Sequence, residues 1–438
     1  MDKRIVQSTQ FTTKKLSIVS KIGEIDITGI FDEVNIYDSI LYPCINGTII
    51  IRDSIGLSDK LSFDGSETIV IEMSKTSDEG VFRKSFRIYK QGPRTSTNMT
   101  SETYMLYFVS EEFLLSQLLK LRRSYKETYS KTVRDILKEH LQVEDSSIGV
   151  IEESLGNRVI VFSSFSPIES INLCSRRAVN RISSPTYLFF ENKYGYNFVT
   201  TSTMISAPES FTINFQPKNL KDDRYELYGA RQYEVVSQFD LNKNITSGVY
   251  GSRYLGFDMD NRSLVVKDMD FSKIYSLSQH ANKTPNIGMI TNKLGKITNA
   301  YDSRVVFQPT SILNQVSSWT KENDPYSIDV SDDNYNYLAQ REALFRNLMS
   351  KRLRIVMPGN FDLTSGLTAN LIIPKRGEKT VSEDTEDKSL SGKYLIIATR
   401  HIISYQKHET VIEVATDSNN RDTVYTSTNQ QNESLEAY

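Results

Sequence analysis

The side chains most able to do chemistry are sparse in this chain and badly spaced for it. The four histidines are His140, His280, His401 and His408. No two stand four apart with an acid between them, the spacing that puts two imidazoles on one helix face around zinc. His401 and His408 are expected to flank a turn between strands, with too few further ligands to hold a metal. Asp258, Asp260, Asp268 and Asp270 approach the spacing of a calcium loop. Arg262 and Val266 occupy positions where ligands are needed, and the glycine of the sharp turn is missing. An acidic surface turn is the expectation.

Nucleophiles fare no better. The two cysteines, Cys44 and Cys174, are far apart and form no CxxC pair. Cys174 sits in an apolar helical pattern, where a buried thiol is a small hydrophobe and not a thiolate. No GxSxG elbow, no GxxxxGK[ST] loop and no GxGxxG fingerprint occurs. Gly248, Gly251 and Gly256 have the wrong spacing for a phosphate cradle and predict a turn-rich segment. Paired carboxylates for glycoside hydrolysis are set in space, not in sequence. No catalytic residue, metal ligand or cofactor site is therefore nominated, and an enzyme is not expected.

Composition narrows the class. The chain has 438 residues, enough for two to four domains at about 100–200 residues each. With 38% hydrophobic and 24% charged residues it is globular and not disordered. Its 24 Tyr and 20 Phe against one Trp favour strands and interfaces. The formal net charge of −2 argues against sequence-independent DNA binding, which needs a basic surplus. The basic run Lys120–Lys126, with Arg122 and Arg123, is expected to be a solvated helix end. Met1–Gln10 is polar and unlike a signal peptide, no stretch nears the length of a membrane span, and synthesis in a reducing cytoplasm is expected.

The elements that would position any site are read from periodicity. Ile5 to about Val109 alternates as strands: Ile69, Ile71 and Met73; Phe82, Phe86 and Ile88; Tyr104, Leu106 and Phe108. Helices are expected over Glu111–Leu121 and Thr132–Leu141. A third begins at Ser166-Pro167-Ile168-Glu169, a capping box with proline at the first helical position. A hairpin follows, with strands Tyr187–Glu191 and Tyr196–Thr200. From 201 to 330 the chain reads as strands and polar turns, with Trp319 in a stretch of few signals. A helix over Asn334–Ser350 leads into alternating Arg352–Met357, and strands are expected at Leu371–Ile373, Tyr394–Thr399 and Thr410–Ala415. The charged loop Lys375–Ser391 and the polar tail from Asp417 are expected to be exposed and mobile.

Three segments, in order along the chain, resemble the baseplate hub family of contractile phage tails, which includes the T-even hub and is related to the spike protein of type VI secretion. They are Gly29–Leu57 (GIFDEVNIYDSILYPCINGTIIIRDSIGL), Ser166–Val179 with Thr186–Val199 (SPIESINLCSRRAV, TYLFFENKYGYNFV), and Gly392–Ser404 with His408–Ser418 (GKYLIIATRHIIS, HETVIEVATDS). The resemblance implies an α+β, mainly β fold with two tail-tube-like β-barrels and smaller inserted α+β domains. The expected divisions are a first barrel over 1–110, a small α+β domain over 111–200, a second barrel over 201–245 and 331–418, an inserted domain over 246–330, and a flexible tail over 419–438. It implies a homotrimeric, pseudo-sixfold ring in the virion baseplate, with a channel for the genome. Implied partners are the tail tube or its initiator proteins, a trimeric spike protein and a tape-measure protein. No sequence-specific nucleic-acid partner and no membrane insertion are expected. The alternatives are a tail-associated peptidoglycan hydrolase and another tail adaptor or adhesin. The first calls for two carboxylates about 5–10 Å apart in a cleft, one with a raised pKa.

Overall fold

Alternating apolar side chains and short polar turns give eight strands before residue 110: β1 Thr12–Ser20, β2 Gly23–Asp26, β3 Phe31–Ser39, β4 Asn46–Asp53, β5 Thr68–Ser74, β6 Phe82–Gln91, β7 Thr95–Asn98 and β8 Ser101–Val109. The structure, a computed structural model, describes residues 11–61, 63–75, 80–98, 101–182, 184–215, 229–258, 262–286, 303–310, 334–375, 386–405 and 407–420. These strands run in the order β3-β4-β8-β6-β5-β1-β2. One core draws Leu16 and Ile18 from β1, Val34 and Ile36 from β3, and Tyr104, Leu106 and Phe108 from β8. Strands from both ends of the path share one core, so the sheet curls around it. Gly47 lies flat against the Phe108 ring and the Asn35 carbonyl, where a Cβ would overlap both.

A second curled unit uses β14 Phe211–Asn214, β15 Gln232–Ser237, β20 Lys351–Pro358, β21 Thr368–Ile372, β22 Gly392–Ser404 and β23 Lys407–Thr416. Leu353, Ile355, Leu371, Ile396, Ile412 and Val414 fill its core. The order here is β15-β20-β23-β22, and β22 pairs in turn with β3 of the first unit. The mainly β fold read from the sequence is present, and among the described residues both units belong to one 14-stranded sheet.

Between the units lie smaller assemblies. Residues after 110 give the helices Glu111–Leu118, Tyr129–Asp135 and Pro167–Arg177, the ribbon of β9 Leu121–Glu127 with β11 Arg158–Phe165, and a three-stranded sheet of β10 Ile148–Ile151, β12 Tyr187–Asn192 and β13 Gly195–Thr200. The capping box forms in full: the Glu169 amide donates to Ser166 Oγ at 3.3 Å, and the Ser166 amide donates to the Glu169 carboxylate at 2.7 Å. Behind it Ile168, Ile171 and Cys174 are buried. Ser166→Ala is expected to lower the unfolding free energy by about 1 kcal/mol. A urea midpoint unchanged from the parent would show that water replaces the cap.

Several local expectations are corrected. The helix at Glu111 ends at Leu118, because Leu119 turns extended, and the basic run Lys120–Lys126 lies on β9 from Leu121 onward, not at a helix end. Gly251 and Gly256 lie in β16 Gly251–Asp258, and Asp268 lies in β17 Ser263–Asp270. These two strands pair with each other, and β16 also pairs with β19 Arg304–Thr310, so Asp258, Asp268 and Asp270 lie in strands of one sheet. Asp268 is held by Arg253 at 2.7 Å, and Asp270 caps the helix Phe271–Leu277. The 201–330 stretch also contains the helices Thr201–Ser206 and Leu241–Thr246. The tail is ordered at its start: β24 Ser418–Asn419 pairs with β18 Thr284–Pro285, and Asp417 is buried against His280 at 2.6 Å. Asp260, Trp319, most of the charged loop (376–385) and 421–438 lie outside the described residues. Among the described residues no helix is long and apolar enough to cross a membrane.

Candidate functional site

The joint between the two curled units is built first by backbone. β3 and β22 pair antiparallel from Ser39↔Ala398 to Glu33↔Ser404. Side chains then lock it. Phe361, on a loop of the second unit, packs into the first unit's core, 6.0 Å from the Phe82 ring and 4.1 Å from the His408 ring. The same loop places Thr364 against two other elements: its hydroxyl donates to the Asp38 carboxylate and accepts from the Lys193 amide at 3.2 Å. Lys193 Nζ reaches Asp362 at 2.6 Å, and Asn192 donates to the Ser365 carbonyl at 3.0 Å. Lys75 Nζ donates to the Gly359 carbonyl at 2.8 Å. A single loop thus fastens both units and the β12–β13 hairpin.

The two histidines meet inside this joint. They do flank the β22–β23 turn, but both are buried, with His401 Nδ1 3.2 Å from His408 Nε2 and 3.2 Å from Thr410 Oγ1. Burial pushes His401 down to about 4 and His408 well below the ordinary imidazole value, so both are neutral near pH 7. Burial also raises Asp38 to about 6, against the pull of Thr364 and Thr399.

A second lock joins β6 to the small α+β assembly. Glu191, with its side chain 1% exposed, contacts the Lys84 ammonium. It also accepts from the Ile45 amide at 2.8 Å and from Ser110 Oγ at 2.6 Å. Beside it the Tyr196 hydroxyl donates to Glu112 at 3.0 Å and lies 3.9 Å from Cys44 Sγ.

These locks stiffen one long wall, β15-β20-β23-β22-β3-β4-β8-β6. One face covers the two cores. The other carries a ladder of cross-strand pairs: Arg352 with Glu413 at 3.0 Å, Arg354 with Glu234 at 3.2 Å, Arg231 with Glu409 at 3.1 Å, Arg52 with Asp32 at 3.0 Å, and Arg400 with Glu33 at 4.0 Å. Arg400 also lies over the Tyr37 ring and donates to Asn35 Oδ1 at 2.9 Å. Matched pairs on a partly exposed face contribute little to stability. They do cancel charge across a broad surface. The alternation of Arg352 and Arg354 was visible in the sequence. Their partners come from strands up to 120 residues away and gave no local signal.

The wall ends in free strand edges. Among the described residues β15 pairs on one side only, with β20. β6 is flanked by β5 as far as Arg87, and Lys90 and Gln91 pair only with β8.

Chemistry is thin. Among the described residues no group of three metal-ligating side chains gathers in one place. The thiols of Cys44 and Cys174 are buried and pushed up to about 12, as a core role requires. His140 bonds the Tyr125 hydroxyl at 3.2 Å. Asp38, whose carboxyl burial raises to about 6, is enclosed in the joint.

No protein-family model matches the chain. Over 399 residues it is 20% identical to a probable baseplate hub protein, gp334, of Vibrio phage KVP40, an alignment covering 88% of this chain and 89% of that protein. A tail protein from Neisseria meningitidis MC58 shares its fold with a TM-score of 0.53 at 10% identity, over 93% of this chain and 97% of the other. The 43 kDa tail protein of prophage MuSo2 from Shewanella oneidensis does so with a TM-score of 0.51 at 9% identity, over 92% and 100%.

Proposed function

We propose that this chain is a structural baseplate hub subunit of a contractile tail, forming a trimeric, pseudo-sixfold ring between a sixfold tail tube and a threefold spike. The observation that carries this reading is the continuous eight-strand wall formed by two curled units joined edge to edge at β3–β22. Two similar units in one chain let three copies offer six similar surfaces to a sixfold partner. The division proposed is 1–110 and 201–245 with 331–418 for the tube-like units, and 111–200 and 246–330 for the smaller domains. The alignment along most of the probable hub protein supports the reading. So does the fold shared with two tail proteins.

Strand direction fits such a ring. The eight strands alternate in direction along the wall, so β6 of one copy and β15 of the next would also meet antiparallel. Three walls would supply about 24 strands at about 4.8 Å spacing, a backbone diameter of roughly 37 Å before tilt. The face turned inward would be the Arg–Glu ladder, whose paired charges hold no basic surplus for a passing genome to bind. The tape-measure protein belongs to the same proposal as a partner reached through the channel.

The test is mass and shape in solution, by light scattering and negative-stain microscopy, alone and with the spike protein. A trimeric ring with an open pore is expected. A protein that stays monomeric at high concentration with the spike present would overturn the reading and return attention to cell-wall hydrolysis.

A further inference from the structure

We infer that neighbouring copies are held by an apolar plug as well as by strand pairing: Phe239 and Leu241 of one copy enter a leucine-lined groove beside β6 of the next. The inference rests on the ring reading and names the contact that closes it.

Both halves are exposed and otherwise unexplained. Near the end of the free edge strand β15, Val236 is 36% exposed, and just past it Phe239 is 75% and Leu241 47% exposed. Side chains of this kind so close together on a surface mark a contact. At the far end of the wall the helix Glu111–Leu118 leaves Leu118 82% exposed. Leu118 lines a groove with Arg87, Leu114, Leu115 and Leu141. β5 pairs with β6 as far as Arg87 and the Ile88 amide still donates to the Glu67 carbonyl at 3.0 Å, so the groove lies just before the free edge, which begins at Tyr89.

Strand direction brings the two together. β6 runs toward Gln91 and β15 toward Ser237. Antiparallel pairing of their free edges sets Ser237 of one copy near Arg87 of the next. Phe239 lies two residues further on, past a bend at Gln238 and at most about 7 Å from Ser237, which brings it to the groove beside Arg87. A threefold ring needs two different complementary surfaces on each copy, and these two sit at opposite ends of one wall. Of the groove's charged residues, Arg87 and Glu111 pair with each other and Glu112 accepts from the Tyr196 hydroxyl at 3.0 Å, so its leucines are left for an apolar occupant.

The test is a double variant, Phe239→Cys with Leu118→Cys, oxidised with copper–phenanthroline and run on a denaturing gel. The native thiols, 1% and 0% exposed, should not compete. Covalent dimers and closed trimers are expected from the double variant and not from either single variant. Phe239→Asp should raise the trimer's dissociation constant more than tenfold. A preparation that light scattering shows to be trimeric, yet gives no interchain cross-link, overturns the plug and leaves the ring standing. So does a ladder from Phe239→Cys alone, or an unchanged dissociation constant for Phe239→Asp. A monomeric mass throughout overturns the ring, and the plug with it.

Discussion

Truncating Glu191 to alanine is expected to destabilise the protein by about 1–3 kcal/mol, because Lys84, about a quarter exposed, loses its contacting carboxylate and keeps only the charge of Glu112 nearby. Three donors converge on this carboxylate: Lys84 from β6, the Ile45 amide just before β4, and Ser110 just after β8. Removing it strands the Ile45 amide, whereas Ser110 Oγ keeps the Ile45 carbonyl at 3.2 Å and Lys84 keeps access to water, and an unmade bond from a buried donor costs more than a made one contributes. Lys84→Met alone should cost less, since Glu191 keeps its two remaining donors. Adding Lys84→Met to Glu191→Ala should recover part of the loss. Chemical denaturation followed by circular dichroism reads both. A loss below about 1 kcal/mol for Glu191→Ala would mean that water replaces the carboxylate, and would sink the idea of a buried lock.

The second large effect is a loss of stability in mild acid, centred on the joint. An unfolded imidazole titrates near 6.5, whereas burial holds folded His401 down to about 4 and His408 well below the ordinary value. Above pH 6.5 both states are neutral and stability is complete. Below it the unfolded chain takes up protons that the folded chain refuses, so stability falls by about 1.4 kcal/mol per pH unit for each histidine. Asp38 works in the opposite sense. Its folded value of about 6 exceeds the ordinary 3.8, so between these values the folded chain is the one that gains the proton. Two losses and one gain leave one net proton between pH 6 and about 4. The expected fall from pH 6.5 to 4.5 is roughly 3 kcal/mol, read from urea midpoints across that range. His408→Phe, which keeps a ring against Phe361, should flatten the slope below pH 6. A slope the same as the parent's would place the proton uptake elsewhere.

How much of this was legible in the sequence depends on range. The capping box at Ser166, the Tyr187–Thr200 hairpin and the alternation of Phe82, Phe86 and Ile88 are settled within a few residues, and the structure reproduces them. The run Lys120–Lys126 misled because charge composition alone does not separate an exposed strand from a helix end. Gly251 and Gly256 misled for a related reason: glycine suggests a turn, yet both lie in a strand flanked on each side. The joint itself was invisible. His401 and His408 gave no motif, and the loop that sets Phe361 against them and Thr364 against Asp38 is brought in from far along the chain. Glu191 read as one residue of a hairpin. Its donors come from three other places in the chain.

The β3–β22 joint carries one more consequence, for how the chain is made. Ser39 Oγ bonds the carbonyl of Ile397, 358 residues later. At about 5–20 residues per second, a ribosome needs roughly 20–70 s to deliver β22 after β3 has emerged. During that interval the first unit can curl around its own core, yet β3 presents a bare edge. Nascent chains on one polysome would carry the same bare edge side by side. The wall that makes the finished protein rigid is thus, while translation lasts, its most exposed route to aggregation.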